Sequence, residues 1–128
     1  MAQYLVDTHV ALWWWRDVSR LAGRVAQVIA TSDQIWISAA TSWEISSKWR
    51  SGKLDMIGDP AVHYPVLMAA NRFQSLPITD VHALAAGLLP GAHRDPFDRM
   101  IAAQALAEDM TVITRDPVFS NFGCKVLW

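Results

Sequence analysis

The chain has no second cysteine, so Cys124 cannot close a disulfide within it and nothing demands an oxidising compartment. An excess of charge is also missing. With 11 Lys and Arg against 12 Asp and Glu the net charge is −1, which argues against a general nucleic-acid coat relying on a large basic excess. It leaves room for a nuclease that holds phosphate through a metal ion and a few local arginines. No uninterrupted apolar run reaches membrane-spanning length. The start, Met1-Ala2-Gln3-Tyr4-Leu5-Val6, lacks the charged region and long apolar stretch of a secretory signal, so a soluble cytoplasmic protein is expected. There is no repeat, low-complexity tract or linker. Glutamate is scarce, with only Glu44 and Glu108.

What is present suffices for a core: 52% of the 128 residues are apolar, and the whole chain, 1–128, reads as a single domain. Strand-like and helix-like segments alternate. Tyr4 to Val6 reads as a strand, then a helix from Asp7 through Trp15, and a second helix from Ser19 with Leu21, Val25, Val28 and Ile29 at helical spacing. Residues 34–38 read as a strand, followed by a helix opening near Thr41 and closing at Gly52. Asp59-Pro60 starts a helical stretch toward Asn71, interrupted or re-entered at Pro65, and 73–78 reads as a short strand. Thr79 caps a helix through Gly87, and Asp95-Pro96 opens one to Asp109. Residues 111–114 form a buried strand and 125–128 a final one. Strands separated by helices of this length favour a parallel sheet with helices on both faces.

Four carboxylates, Asp7, Glu44, Asp98 and Asp116, fall just after such strands or in the first turn of a helix. In a parallel sheet the strand ends share one edge, where ligands bind, so these four distant residues are expected to converge. Like charges at contact distance raise one another's pKa, and a divalent cation removes that conflict. Oxygen ligands select a hard ion, Mg²⁺ or Mn²⁺. Each acid also has a purely structural account. Thr41-Ser42-Trp43-Glu44 fits a capping box, Asp98 lies three residues after the potential cap Asp95, and Asp7 and Asp116 can each cap the helix that follows. Singly, the structural account is favoured for every one of them; their corresponding places in separate strand–helix units shift the balance toward a site.

Four blocks carry a resemblance: 5–9 (Leu-Val-Asp-Thr-His), 38–45 (Ser-Ala-Ala-Thr-Ser-Trp-Glu-Ile) with 52–54 (Gly-Lys-Leu), 93–99 (His-Arg-Asp-Pro-Phe-Asp-Arg) with 101–105 (Ile-Ala-Ala-Gln-Ala), and 112–116 (Val-Ile-Thr-Arg-Asp). In this order and spacing the chain resembles the PIN-domain ribonucleases, specifically the toxin half of Vap-type toxin–antitoxin pairs. The resemblance implies a three-layer α/β/α fold with a five-stranded parallel sheet, and a site that binds Mg²⁺ or Mn²⁺ and cuts RNA. By motif Asp7, Glu44, Asp98 and Asp116 are the first to fourth acids, catalytic and metal-ligating, with Asp95 left as the cap of its helix and a secondary role for it open. It also implies a homodimer and a cognate antitoxin protein. Where many members have Asn or Ser two residues after the first acid, this chain has His9, expected on the helix face beside Trp13.

Thr8 and Thr114 are then candidates to hold carboxylates or waters, and Arg94, Arg99 and Arg115 to contact phosphate, although a solvated surface arginine explains any one of them equally. Two alternatives stay open: a catalytically silent interaction module on this fold, and a metal-dependent phosphatase of another α/β family. The phosphatase needs a second Asp where His9 stands. A phosphate-receiver domain would want an acidic pair after the first strand, and zinc hydrolysis is disfavoured because His9, His63, His82 and His93 show no ligand spacing. Trp13, Trp14 and Trp15 are consecutive. Helical neighbours point about 100° apart, so they cannot all face the sheet; two in the core and one half-exposed, or a partner surface, are equal expectations.

Overall fold

The computed structural model of the chain describes residues 2–55 and 58–128. Five strands, β1 (Tyr4–Val6), β2 (Ile35–Ser38), β3 (Gln74–Leu76), β4 (Thr111–Ile113) and β5 (Val126–Leu127), form one parallel sheet in the order β3-β2-β1-β4-β5. Seven α-helices connect them among the described residues: α1 (Thr8–Arg16), α2 (Gly23–Thr31), α3 (Ala39–Arg50), α4 (Pro60–Ala70), α5 (Asp80–Leu88), α6 (Pro96–Glu108) and α7 (Val118–Asn121), with a 3₁₀ turn at Val18–Arg20. Among the described residues no helix is long and apolar enough to cross a membrane.

Strand alternation builds the three layers. Val6, Ile35, Ile37 and Ile113 point to one face, where Val10 and Ala11 of α1, Val25 and Ile29 of α2 and Met68 of α4 cover them. Leu5 and Val112 point to the other face, against Ile101, Ala102 and Ala105 of α6 and Phe119 of α7. Both faces are covered, as a parallel sheet requires, and the inner strands β1, β2 and β4 are accordingly mostly apolar, whereas the edge strand β3 is Gln-Ser-Leu. The chain leaves β1 toward β2 and β3, then crosses back to β4 on β1's other side. The strand order therefore reverses at the carboxyl ends of β1 and β4, the place where open sheets of this type bind ligands.

Most segment boundaries expected from the sequence fall within two or three residues of those observed. The exception is the second helix, expected from Ser19, which opens four residues later at Gly23 because Val18–Arg20 form a 3₁₀ turn; two smaller departures also have identifiable reasons. α3 opens at Ala39, not near Thr41, because the Ser38 hydroxyl accepts from the Ala40 N–H and caps it. Thr41 and Glu44 therefore form no capping box. α4 runs through Pro65 without a break: Pro65 and Ala61, whose carbonyl loses its donor, both lie on the exposed side, where water can satisfy it, while Met68 anchors the buried side.

One buried amide ties the layers together under the sheet edge. Gln104 of α6, fully buried, accepts from the Ser38 hydroxyl at 2.5 Å and donates to the Pro77 carbonyl at 3.2 Å. Gln104→Ala would leave a buried hydroxyl without its acceptor as well as a cavity. It should lower unfolding free energy by on the order of 3 kcal/mol, read by urea denaturation.

Candidate active site

Asp7 follows the last residue of the central strand and sits 4% exposed at the start of α1. Its side chain makes no cap bond; instead Oδ2 accepts from the Thr114 hydroxyl at 2.9 Å. Thr114, just past β4, also accepts from the backbone N–H of Asp116 at 3.0 Å, so one hydroxyl fixes Asp7 to the β4 turn across the strand-order reversal. Burial pushes the Asp7 carboxyl up to about 6; Thr114 and the charge of His9 act against this, while the charges of Asp98 and Glu44 add to it. Three acids from α1's start, α3 and α6 thus lie within electrostatic reach of one another.

Each of the other acids has a partner. Glu44, buried in the second turn of α3, accepts from Lys48 Nζ at 2.5 Å. Burial alone would pull Lys48 down, but the hydrogen bond and charge of Glu44, with the charges of Asp95 and Asp98, hold its ammonium above the usual value. Asp98, in the first turn of α6, is 2.9 Å from His93 Nε2. Its carboxyl is raised, first by burial and then by Asp95 and Glu44, against the opposing His93 contact. Asp95 accepts from the N–H groups of Phe97 and Asp98 at 2.9 and 3.2 Å, and so caps α6 as its position before Pro96 suggests. Asp116 stands apart: it is exposed and its Oδ1 accepts from the N–H of Val118, the first residue of α7, at 3.0 Å.

The remaining expected contacts divide. Thr114 holds a carboxylate, whereas the Thr8 hydroxyl pairs with Thr41 at 2.9 Å, joining the starts of α1 and α3 beneath the acids. The Arg99 guanidinium is committed to backbone, donating to the carbonyls of Ala86 and His93, each at 3.0 Å, and of Leu89. It locks the loop carrying His93 onto the end of α5. Arg94 is exposed. Arg115 stacks over Trp13, 4.8 Å from the ring centroid, and exposed His9 lies beside the same ring. Sequence reasoning missed the partners Lys48 and His93. The i, i+4 spacing of Glu44 and Lys48 was a usable signal; His93 opens the 93–99 block, but nothing in its spacing marked it as the partner of Asp98, which it reaches from a loop.

Hard, oxygen-only donors suit a divalent ion such as Mg²⁺ or Mn²⁺, and a cation would relieve the repulsion that raises Asp7 and Asp98. Among the described residues, however, no three acid, histidine or cysteine side chains stand close enough to hold one as arranged. Lys48 and His93 draw two of the carboxylates away, so the donor chemistry fits an ion that displaces them. A recess of about 710 Å³ lies elsewhere, between α1 and α4, lined by residues including Leu12, Trp15, His63 and Leu67. Charge rather than volume singles out the acid cluster: among the described residues, raised carboxyls from separate elements, Asp7 and Asp98, lie within electrostatic reach there.

Residues 4–123 match the PIN domain family. The chain is 28% identical over 121 residues to Ribonuclease VapC22 of Mycobacterium tuberculosis, covering 91% of this chain and 88% of that protein. Among solved structures it resembles VapBC2 from Rickettsia felis bound to a promoter DNA fragment (TM-score 0.72, 16% identity, 97% of this chain and 96% of that one). It also resembles DNA-bound VapBC from Salmonella typhimurium (0.72, 17%, 99% and 98%) and FitAcB from Neisseria gonorrhoeae (0.68, 24%, 98% and 97%). At these identities the structural likenesses establish the fold.

The raised Asp7 carboxyl makes stability depend on pH. The folded state holds this proton up to about 6, the unfolded chain only to about 3.8. The group therefore costs nothing below the lower value, and its ionisation destabilises the fold as pH rises through the upper one, by on the order of 3 kcal/mol. In chelator, Asp7→Asn should melt higher than the wild type at pH 8, and the gap should close as pH falls toward 4. A variant that melts lower at every pH would show that the carboxylate stabilises the fold.

Proposed function

As the chain belongs to the PIN domain family, we propose that it is a metal-dependent endoribonuclease, the toxin of a toxin–antitoxin pair acting in the cytoplasm. The observation that carries this reading is the buried Asp7 carboxyl, pushed up to about 6 with Asp98 and Glu44 adding their charge at the point where the strand order reverses. The name of the mycobacterial relative supports ribonuclease activity, and the complexes named among the structural relatives support an antitoxin partner. A second copy is our proposed occupant of the exposed apolar stripe Val81, Leu84 and Leu88 on α5.

In this reading Asp7, Glu44 and Asp98, with Asp116 from the β4 turn, hold Mg²⁺ or Mn²⁺. The bound ion supplies positive charge against the phosphoryl oxygens and eases deprotonation of the attacking water. Asp7 is the fixed member, because Thr114 sets its orientation and burial denies it a water shell. Asp98 and Glu44 would contribute to it in place of their contacts with His93 and Lys48. Lys48, whose ammonium the surrounding acids hold above its usual value, would then serve as a counter-charge among them, and the hydroxyl pair Thr8–Thr41 keeps α1 and α3 at fixed spacing.

Purified, partner-free protein should cleave single-stranded RNA with Mn²⁺ and stop with a chelator. Asp98→Asn should lose about a hundredfold or more while remaining folded. Mn²⁺ at a hundred times its Kd should stabilise the wild type by about 2.7 kcal/mol, and Asp7→Asn much less. Equal thermal shifts in the two proteins would place the ion elsewhere, and an RNA left intact by folded, Mn²⁺-loaded wild type would favour the silent interaction module.

A further inference from the structure

Beside the acids, along α1, lies a second cluster that hydrolysis does not use. His9, Leu12, Trp13, Arg16, Asp17 and Arg20 line a recess of about 320 Å³. The Trp13 ring is its centre: the Arg115 and Arg20 guanidinium carbons lie 4.8 and 5.8 Å from its centroid, Trp128 meets its edge at 6.1 Å, and His9 is tilted beside it at 6.3 Å. The recess opens near the acids. His9 is two residues past Asp7 and close enough for its charge to act on that carboxyl, and Arg115 separates Thr114 from Asp116.

Cations gather here in a chain whose net charge is −1. Three of its eight arginines surround this recess, opposed by one acid, Asp17, 3.3 Å from Arg20. Among the described residues Arg16 and Arg115 form no ion pair. Folding alone gives no reason to crowd like charges without counter-charges. A guanidinium lying over an indole keeps its in-plane N–H donors free for phosphate, while its own outer plane, held flat by the ring, offers a surface on which a base can stack beside Trp13. The volume is at the lower limit for pockets that take small organic groups, room for one base rather than a folded helix.

The geometry points to a nucleotide subsite: one base of single-stranded RNA seated against Trp13 in the recess, with its flanking phosphates held by Arg115 and Arg20. This rests on the ribonuclease reading and names how that activity grips its substrate beside the cut. Stacking on an aromatic side chain with arginines along the backbone is a general way to bind single strands with little sequence preference. An acidic segment of a protein partner would also suit the arginines, but would leave the Trp13 recess without an aromatic occupant.

The test is binding of a fluorescein-labelled hexauridylate, followed by anisotropy in EDTA so that nothing is cut, with cleavage of the same RNA in Mn²⁺ measured in parallel. Trp13→Ala should weaken binding about tenfold, with Trp13→Phe between it and the wild type. Arg20→Gln and Arg115→Gln should each reduce the slope of log affinity against log salt by about 0.7. Trp13 is half-buried, so the ligand supplies a second arm: wild type should bind a hexamer with one abasic position more weakly than the intact one, in a position-dependent way. Unchanged salt slopes with equal affinity for abasic and intact RNA, while the wild type still cleaves, would sink the subsite and leave the ribonuclease standing. Loss of partner-protein binding with RNA binding intact would assign the patch to protein contact and overturn the proposal. A wild type that neither binds nor cuts would remove the ribonuclease reading itself.

Discussion

Burial of one carboxylate organises this molecule. Asp7 follows β1, the middle strand, without an intervening residue, so its side chain must emerge where α1, α3 and the β4 turn meet. An exposed acid there would be unremarkable; a buried one imposes conditions on its neighbours. It requires a donor, which Thr114 supplies, and it cannot sit near Asp98 and Glu44 as a charged group without cost. The pairs Glu44–Lys48 and Asp98–His93 offset that cost while no cation does so.

The support beneath the acids is polar but complete. Thr8 with Thr41, and Ser38 with Gln104 and the Pro77 carbonyl, are buried groups with partners on different elements. Satisfied pairs of this kind fix relative positions more sharply than apolar contacts, because a small displacement leaves a polar group unpaired. They fix the starts of α1 and α3 against each other and α3 against the body of α6, hence the spacing of the acids those helices carry.

Local chemistry made much of this legible in the sequence. Asp95-Pro96 and Thr79 announce their helices by backbone chemistry that needs no tertiary context, and the caps are found there. The inner strands were readable because a two-sided parallel sheet makes them mostly apolar. Illegible were features decided between elements. The Thr41/Glu44 spacing satisfied a capping box, but Ser38 at the end of β2 captured the helix start one turn earlier, which turned Glu44 inward toward Lys48. Trp13, Trp14 and Trp15 are all half-buried rather than divided between core and surface: Trp14 donates to Asn71, Trp15 packs on Tyr64 and Phe73, and Trp13 carries Arg115. The most exposed tryptophan is Trp43, whose ring meets Phe97 edge-on at 4.7 Å. Nothing in the order of residues distinguishes these environments, because each depends on a partner far along the chain.

An acidic pocket that meets a polyanion faces repulsion before any contact forms, and net charge does not measure it. At physiological salt, charges beyond about 8 Å are largely screened, so only cations fixed close to the acids can oppose it. Lys48 is fixed close by but committed to Glu44, and a lysine on a free stem serves poorly because its charge is spread over many positions. Arg115 is different: one indole fixes its plane, its neighbour in sequence is Asp116, and Thr114 before it holds Asp7. The turn after β4 thus places an acid, the hydroxyl that orients another acid, and an oriented guanidinium within three consecutive residues. The strand order explains why that turn can do so, because β4 is the neighbour of β1 on the side where the sheet reverses. One topological feature therefore sets both the negative charge of the pocket and the position of the positive charge beside it.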